Sequence, residues 1–199
     1  MLTFRTAAEP DFEHVNRLAR QVHELHVSLH PDLYRSVKHP ISCEEFREMV
    51  ERDQLVVACR GEHIVAYAAF AVRDFDGASI LPRRVMMLDA LCVDGPCRRQ
   101  GIAHAMLEEL CRRGRALGCT DLQLACDSRN TSALAFYEAQ GMQRKLIQFR
   151  EKPRRVRRPQ AANPIGSFSP AACTSEKIQI SPLVCESPAF GGRFVRAAD

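Results

Sequence analysis

An apolar strand that leads through a tight turn straight into an amphipathic helix constrains this chain more than any other feature of its sequence. Val85–Val93 contains one charged residue, and the glycine–proline pair that follows indicates a turn. Apolar residues then recur at helical spacing from Ile102 to Leu117. The pattern predicts a strand–turn–helix unit, with the strand buried on both faces.

The turn itself, Arg98–Ala103, has the composition of an anion-binding loop. Gly101 and Ala103 are small enough for a ligand to approach the backbone, and a helix N-terminus presents unpaired N–H groups. Arg98 and Arg99 add positive charge. The sequence lacks both a G-x-x-x-x-G-K-[ST] loop and a G-x-G-x-x-G turn. A pyrophosphate site and an ordinary turn with solvated arginines both fit this pattern.

Strand and helix patterns alternate over the first 152 residues, which predicts an α+β fold of the α/β-sandwich type. Strands are predicted at Leu2–Arg5, Leu55–Cys59, Ile64–Val72, Val85–Val93, Leu122–Cys126 and Gln143–Glu151. Helices are predicted after an Asp11 N-cap with its apolar face running to Leu25, after the Ser42–Glu45 capping box, and over Ile102–Leu117 and Thr131–Gln140.

The last 47 residues, 153–199, have a different composition and are expected to be a mostly disordered tail. Six of the 11 prolines lie there, and the tail's seven basic and three acidic residues account for the whole formal charge of +4. The first 152 residues are therefore neutral. The basic run Arg154–Arg158 leaves a nucleic-acid or anionic-surface role for the tail open, but solvated charge is the commoner explanation, and nucleic acid is not an expected partner.

Cysteine usage and hydropathy indicate a cytoplasmic protein without a membrane span. The nine cysteines form no C-x-x-C pair, which favours reduced thiols and no structural metal. The longest apolar run, Ile64–Val72, is less than half the length of about 20 residues that a membrane helix needs. The acidic N-terminal region does not match a secretory signal.

Two blocks of the sequence resemble the GNAT superfamily of acyl-CoA-dependent N-acyltransferases. The segment Arg98-x-x-Gly101-x-Ala103 is similar to the family signature [Q/R]-x-x-G-x-[G/A], and Asn130–Met142 is similar to its N-x-x-A-x-x-x-Y-x-x-x-G-F segment. Met142 replaces the usual aromatic residue. The resemblance covers residues 2–152 and is sharpest over 85–142. It implies a mixed, mostly antiparallel sheet with a central splay and helices on both faces.

The resemblance also implies an acetyl-CoA site with no metal. The main chain of the β-strand segment Leu91, Cys92 and Val93 would meet the pantetheine arm, and Asn130 would contact the cofactor. Tyr137 would protonate the leaving thiolate. Backbone amides that would hold the pyrophosphate belong to Arg98, Arg99, Gln100, Gly101, Ile102 and Ala103.

Asp89 is the leading candidate for the base or for an anchor of the substrate amine. It lies in an otherwise apolar strand, where an unpaired carboxylate is costly, so we expect it to have either a partner or a catalytic purpose. An Asp paired with a nearby Arg, or placed at the rim of the sheet, is the structural alternative. Asp127, just after the next strand, is a second candidate.

His23, His26 and His30 would share one face of the first helix. They could line the acceptor pocket, move protons, bind a metal, or be half-buried surface residues. On the family resemblance, His30 and Tyr34 are candidate substrate-binding residues.

The function expected from the resemblance is direct transfer of acetyl from acetyl-CoA to a primary amine of a small molecule or peptide, through a ternary complex. No Cys–His pairing supports a covalent route. The alternative is an acyl-CoA-binding regulatory or partner-binding module without catalysis. The acceptor cannot be read from the sequence, and a homodimer is compatible with the family.

Overall fold

A computed structural model describes residues 1–150 and shows a five-stranded sheet with helices on both faces. Valine, isoleucine and aromatic residues are frequent in the central strands, as their preference for a pleated, buried surface predicts. The strands are β1 (Leu2–Thr6), β2 (Leu55–Arg60), β3 (His63–Gly77), β4 (Ile80–Val93) and β5 (Asp121–Leu124). The helices are α1 (Phe12–Leu29), α2 (Cys43–Glu51), α3 (Ile102–Ala116) and α4 (Thr131–Ala139).

The strands lie in the order in which they occur in the chain. Strands β1 to β4 pair antiparallel, and β5 pairs parallel to β4. Gly61, with φ of 61°, sits in the tight turn between β2 and β3, as the predicted hairpin requires. The α+β class and the mostly antiparallel sheet are confirmed.

Two apolar layers cover the sheet, which explains why its central strands lack an alternating polar face. On one face, Val15 and Leu18 of α1 pack against Leu55 and Tyr67. On the other face, residues of α3 pack against alternate residues of the same strands, among them Met86 of β4. A strand buried on both faces reads as a continuous apolar run.

A bulge at Asp89 interrupts β4. Ala69 faces Ala90 across the β3–β4 pair, but the next residue, Phe70, faces Leu88, so Asp89 is left unmatched. The side chains of β4 change faces at this point, because Leu88 packs on the α3 side and Ala90 on the α1 side. A bulge bends its strand and redirects a side chain.

The pairing of β4 with β5 ends at the same place. Val85–Leu88 pair with Asp121–Leu124, and β4 then continues for five residues, Asp89–Val93, with no strand of the described chain on that side. This gap is the predicted central splay. It exposes main-chain groups in the middle of the sheet, where an edge would otherwise be covered.

Side-chain capping of the first two helices follows the sequence prediction at one helix only. Ser42 and Glu45 form the expected capping box of α2. At α1, Asp11 is the N-cap residue, as predicted, but its side chain does not cap the helix: its carboxylate accepts from the Ala8 N–H at 2.8 Å and pairs with Arg5 at 2.5 Å. A short 3-10 turn precedes α1 and directs this side chain backwards rather than onto the helix start.

The buried face of α1 is also shorter than predicted. Leu25, expected in the core, is exposed, whereas Val15, Leu18 and Ala19 are fully buried. The core therefore covers the N-terminal two-thirds of α1. Its C-terminal end projects beyond the packed layer, which leaves that end free to form part of a site.

The predicted strand Gln143–Glu151 is not formed over its described residues, 143–150. The chain divides into two units, Met1–Met142 and Gln143–Asp199. Within the described part of the second unit, Leu146, Ile147 and Phe149 are exposed. A strand exists only through a paired neighbour, which the sequence pattern of one segment cannot supply. The tail prediction for 153–199 lies outside the described residues.

None of the helices within residues 1–150 is long and apolar enough to cross a membrane.

Candidate active site

The turn before α3 has a backbone that few residues adopt easily. Arg99 and Gly101 both lie in the left-handed region, with φ of 62° and 76°. Gly101 is the N-cap of α3, where no side chain caps the helix, and a Cβ at this position would meet no atom within 4 Å. The helix start is therefore uncapped by side chains and faces open space.

The amide groups of this turn form a donor surface from residue 99 to residue 103. In the part of the chain that the structure describes, these five N–H groups have no hydrogen-bond partner. The amide of Arg98, predicted to belong to the same surface, donates to Gly95 O at 3.3 Å instead. Ile102 offers only its main chain, since its side chain is buried in the α3-side core. Converging amides at a helix N-terminus bind phosphate groups well.

Three polar side chains that sequence reasoning did not single out hold this turn in place. Gln21 of α1 donates to Asp94 at 2.8 Å and accepts from the Gly95 N–H at 3.1 Å. Arg17, one helical turn earlier, pairs with Asp94 at 2.8 Å. Burial would raise the pKa of Asp94, but the bonds from Gln21 and Arg17 lower it below its ordinary value. The only sequence signal for this contact was the i, i+4 spacing of Arg17 and Gln21, which places both side chains on the same face of α1.

The Arg98 guanidinium braces the turn rather than facing outward with a free charge. Its Nε donates to Val93 O at 3.0 Å, and its Nη2 donates to Gln21 Oε1 at 3.2 Å. Gln100 braces the same loop from the other side, because it donates to Pro96 O at 3.2 Å and accepts from Arg60 at 2.9 Å. The turn is thus held in shape by its own side chains together with residues of α1 and β2.

Three residues of the unpaired segment of β4, Leu91, Cys92 and Val93, contribute main chain only. Leu91 and Val93 pack on the α3 side of the sheet, and Cys92 is buried on the α1 side. Burial raises the pKa of the Cys92 thiol to about 11, with smaller opposing effects from Arg98. Cys92 is a core residue, so any contact it makes with a ligand must come from its backbone.

Helix α4 places Tyr137 beside the core layer on the α3 side of the sheet. Tyr137 packs with Phe136, their ring centroids 5.2 Å apart, against the α3-side cluster. Burial, and to a lesser extent the nearby Cys126 thiol, raise the pKa of Tyr137 to about 12. The phenol therefore keeps its proton throughout the neutral range. Asn130 caps α4 by accepting from the Ala133 N–H at 3.1 Å, which leaves its amide NH₂ group for other contacts.

Asp89 differs from the sequence expectation in one respect. It is exposed rather than buried, because the bulge turns it out of the sheet. Desolvation by the surrounding protein still raises its pKa, and the charge of Arg73 opposes this shift. The structure thus leaves at the splay an exposed carboxylate with a raised pKa, within reach of the charge of Arg73.

The predicted histidines are brought together with the second aspartate candidate. His30 Nε2 contacts Asp127 Oδ2, so the end of α1 meets the loop after β5. Tyr34 packs near His26, with centroids 5.7 Å apart, and His23 Nε2 donates to Arg35 O at 2.7 Å. Over residues 1–150, no group of three or more His, Cys, Asp or Glu side chains is placed to hold a metal ion.

The matches to known proteins agree with this geometry. Residues 19–142 match the model of the acetyltransferase (GNAT) family, which is more than half of the chain. The chain belongs to the GNAT family. The matched range includes the turn, both strands of the splay and all of α4, so the resemblance given by the two sequence blocks is confirmed. No curated protein matches the chain significantly.

Solved structures of the GNAT fold superpose on most of this family member. A mutant of the BH1408 protein from Bacillus halodurans is 30% identical, with a TM-score of 0.70, over 76% of this chain and 98% of that one. A transcriptional regulator from Bacillus halodurans C-125 is 25% identical, with a TM-score of 0.61, over 76% and 99%. The aminoglycoside acetyltransferase AAC(6')-Iy, solved with a CoA bisubstrate analogue, is 18% identical, with a TM-score of 0.57, over 76% and 99%, and shows the shared fold.

Proposed function

We propose that this GNAT protein transfers an acetyl group from acetyl-CoA directly to a primary amine of a small molecule or peptide. The observation that carries this proposal is the combination of two main-chain surfaces. One is the row of unpartnered amides over residues 99–103, and the other is the unpaired edge of β4 over Asp89–Val93. A pyrophosphate fits the first surface, and an extended amide-containing arm fits the second.

The backbone around Gly101 has the space that a phosphate group of the donor needs. The left-handed conformation of Gly101 and the open space beside it let a phosphate approach the amides without meeting a side chain. Residues 99–103 would hold the pyrophosphate of acetyl-CoA, and Leu91 and Val93 would offer main-chain hydrogen bonds to its pantetheine arm. When bound, acetyl-CoA supplies a reactive thioester for attack by an amine.

Tyr137 is the proposed general acid. Because its pKa is raised to about 12, it holds a proton at neutral pH that it can give to the departing sulfur. It packs on the same core layer as Leu91 and Val93, the proposed arm-binding segment. Asn130, at the start of the same helix, would add a contact to the donor through its amide.

The acceptor is proposed to enter from the side of α1. His30 and Tyr34, at and beyond the C-terminal end of α1, would line its path. The exposed carboxylate of Asp89 would attract the ammonium form of the amine and hold it at the splay, or accept its proton. A cationic amine therefore suits this side, whereas an acidic acceptor would meet like charge.

A second candidate function is a regulatory module that binds acyl-CoA without using it. The observation in its favour is the likeness to the solved transcriptional regulator. Such a module would share the amide surface at residues 99–103 and would not need Tyr137 or Asp89 for chemistry.

One assay separates the two functions. Purified full-length protein is titrated with acetyl-CoA by calorimetry, and CoA release is then followed with a panel of small amines, polyamines and peptides. Transfer predicts saturable binding and thiol release that depends on the amine. Binding without thiol release from any amine supports the module, and no binding at millimolar acetyl-CoA contradicts both.

A further inference from the structure

The contact between His30 and Asp127 joins two segments that lie 97 residues apart in the sequence. His30 ends α1, and Asp127 lies in the loop after β5, three residues beyond the last strand residue, Leu124. Both side chains are mostly shielded but open to a small molecule, with 20% of His30 and 23% of Asp127 exposed.

The carboxylate of Asp127 is fixed on both of its oxygens. Oδ1 accepts from the Arg129 N–H at 2.8 Å, and Oδ2 faces His30 Nε2. Burial would raise the pKa of Asp127, but the Arg129 N–H and the His30 ring lower it below its ordinary value. An ionised carboxylate only accepts hydrogen bonds, so Nε2 of His30 must carry the hydrogen, and in the neutral ring the lone pair is then on Nδ1.

A purely mechanical role is already filled by another contact. Arg129 Nη1 donates to Leu29 O at 2.5 Å and ties the same loop to the same end of α1. The His30–Asp127 pair therefore adds to this tether a defined ring orientation and a defined tautomer. These are the two properties that an imidazole base needs.

Asp127 also lies in the segment that follows the last paired residue of β5, where the gap between β4 and β5 begins. Asp127 follows Cys126, whose thiol is close enough to Tyr137 for their charges to interact. The pairing of β4 and β5 stops at Leu88 and Leu124, just before these residues. The imidazole and the proposed acid thus approach the gap from neighbouring segments.

The other titratable groups around the His30 ring come from α1, from the loop after it and from the loop after β5. His23 and His26 lie on the same helix, Tyr34 follows on the next loop, and Arg129 and Asp127 belong to the loop after β5. Burial lowers the pKa of His26, with the charge of Asp127 opposing and those of His23 and His30 reinforcing the shift. His26 is therefore neutral at pH 7, which leaves His30 as the imidazole oriented by a carboxylate.

We propose that His30 is the catalytic base that removes the proton from the attacking amine, and that Asp127 is the positioning residue that orients it. The proposal rests on the proposed function and leaves Asp89 the role of anchoring the ammonium group. One N–H bond of the ammonium group breaks and its proton passes to His30 Nδ1. The nitrogen lone pair then forms the C–N bond as the C–S bond breaks, the sulfur takes the proton of Tyr137, and the new amide nitrogen releases its remaining extra proton to solvent. Transfer of the proton from His30 through solvent to the tyrosinate restores both groups.

His30→Gln is the informative variant, because its amide can still donate to Asp127 but cannot act as a base. We expect kcat with a basic alkyl amine to fall by about 100-fold or more, within the usual range for a general base. The Kd for acetyl-CoA should stay within about twofold, because the amide surface is untouched. His14→Gln, an exposed histidine on the same helix, is the matched control and should keep the wild-type kcat.

The basicity of the acceptor separates a base from a structural support. Methoxyamine is unprotonated at neutral pH and needs little help to lose a proton. With methoxyamine as acceptor, kcat of His30→Gln should therefore fall by less than about tenfold relative to wild type. Asp127→Asn should lower kcat for the alkyl amine in the same selective way, because it favours the wrong tautomer. A fall of similar size for both acceptors, or an unchanged kcat in His30→Gln, would overturn the proposal.

Two further measurements keep the result decisive. If His30→Gln does not fold, judged by circular dichroism, the wild-type protein is carbethoxylated and the modified histidines are mapped by mass spectrometry. Loss of activity that follows modification of His30 supports the proposal, and full activity with His30 modified contradicts it. Wild-type protein that releases no CoA with any amine contradicts the proposed function itself, and this is established before any variant is compared.

Discussion

The two sides of the β4–β5 gap differ in the groups that they present, main-chain groups on one side and side chains on the other. The proposed donor side consists of main-chain amides over residues 99–103 and the unpaired edge of β4, with side chains such as Gln21 acting as braces. The proposed acceptor side consists of side chains, chiefly His30, Asp127 and Asp89. A main-chain site accepts one cofactor whatever side chains surround it, whereas a side-chain site can change its substrate through a few substitutions. This difference explains why we propose a specific donor, acetyl-CoA, but only a positive charge for the acceptor.

The largest effect outside the imidazole pair is expected at Tyr137, which serves the chemistry without holding the donor. Tyr137→Phe should lower kcat by about 100-fold, at the lower end for a general acid, because a thiol leaves with little help. The Kd for acetyl-CoA should not change in calorimetry. A higher Kd for acetyl-CoA with an unchanged kcat would contradict the acid role and would indicate that Tyr137 helps to bind the donor.

The pH dependence of the same residue can be measured without any variant. Since burial raises the pKa of Tyr137 to about 12, the phenol should stay protonated, and kcat should show no decline due to this group below about pH 11. The pH profile of CoA release checks this, with Tyr137→Phe as the reference. A basic limb near pH 9 that disappears in the variant would contradict the assignment.

A tenfold effect is expected at Gly101, on the donor side. Gly101→Ala places a Cβ on a left-handed residue at a cost of about 1–2 kcal/mol, and relief of this strain would misalign the amides. We expect the Kd for acetyl-CoA to rise by about tenfold, which corresponds to about 1.4 kcal/mol.

Gly61→Ala is the matched control for that substitution. Gly61 also has a positive φ with open space around it, but it lies in the β2–β3 turn. Both variants should lose about 1 kcal/mol or more of unfolding free energy in urea. Only Gly101→Ala should lose affinity, and equal affinities in the two variants would count against the donor site.

A smaller effect is expected from a brace. Gln21→Ala removes the bonds of this side chain to Asp94, Gly95 and Arg98 but leaves the Arg17–Asp94 pair, and should raise the Kd for acetyl-CoA about threefold through a looser turn. Ser28→Ala, on the same helix, removes a hydroxyl that bonds only to Leu25 O and should leave the Kd unchanged. A Gln21→Ala protein with wild-type affinity would show that the turn holds its shape without Gln21.

The smallest effects, on stability, should have opposite signs at the two aspartates. The pKa of Asp127 is lowered, so its charged form favours folding above its unfolded pKa of about 3.9, and this contribution is lost as pH falls through the folded pKa. The pKa of Asp89 is raised, so its charged form disfavours folding at neutral pH. At pH 7, Asp127→Asn should lower the unfolding free energy by about 1 kcal/mol, and Asp89→Asn should raise it slightly.

Urea denaturation at pH 7 and pH 3 tests this pair. The stability differences from wild type should shrink for both variants at pH 3, where the unfolded carboxylates are largely protonated. A destabilised Asp89→Asn protein at pH 7 would mean that Asp89 has a structural partner rather than a functional one.

Local sequence patterns were sufficient to predict the parts of the molecule that local physics determines. The hairpin around Gly61, the capping box at Ser42 and the strand–turn–helix unit around Gly101 each depend on neighbouring residues and were correctly placed. The splay followed from the family resemblance, and the structure adds its physical origin in the bulge at Asp89.

What the sequence could not provide depends on contacts between distant segments. The pairing of His30 with Asp127 spans 97 residues, and the bonds from Gln21 to the turn span more than 70, so no periodicity could reveal them. The exposure of Asp89 depends on a single unmatched residue in a register, which composition does not encode. The strand predicted over Gln143–Glu151 is not formed over residues 143–150. A strand needs a neighbouring strand with which to pair, and the sequence pattern of one segment does not specify that neighbour.

A titration of isotopically labelled protein with acetyl-CoA, followed by amide ¹H–¹⁵N spectra, tests the central claim most directly. The account predicts that the amide resonances of residues 99–103 shift and saturate together, while that of Gly61 stays in place. Saturable binding that leaves residues 99–103 unshifted would contradict the main-chain donor site.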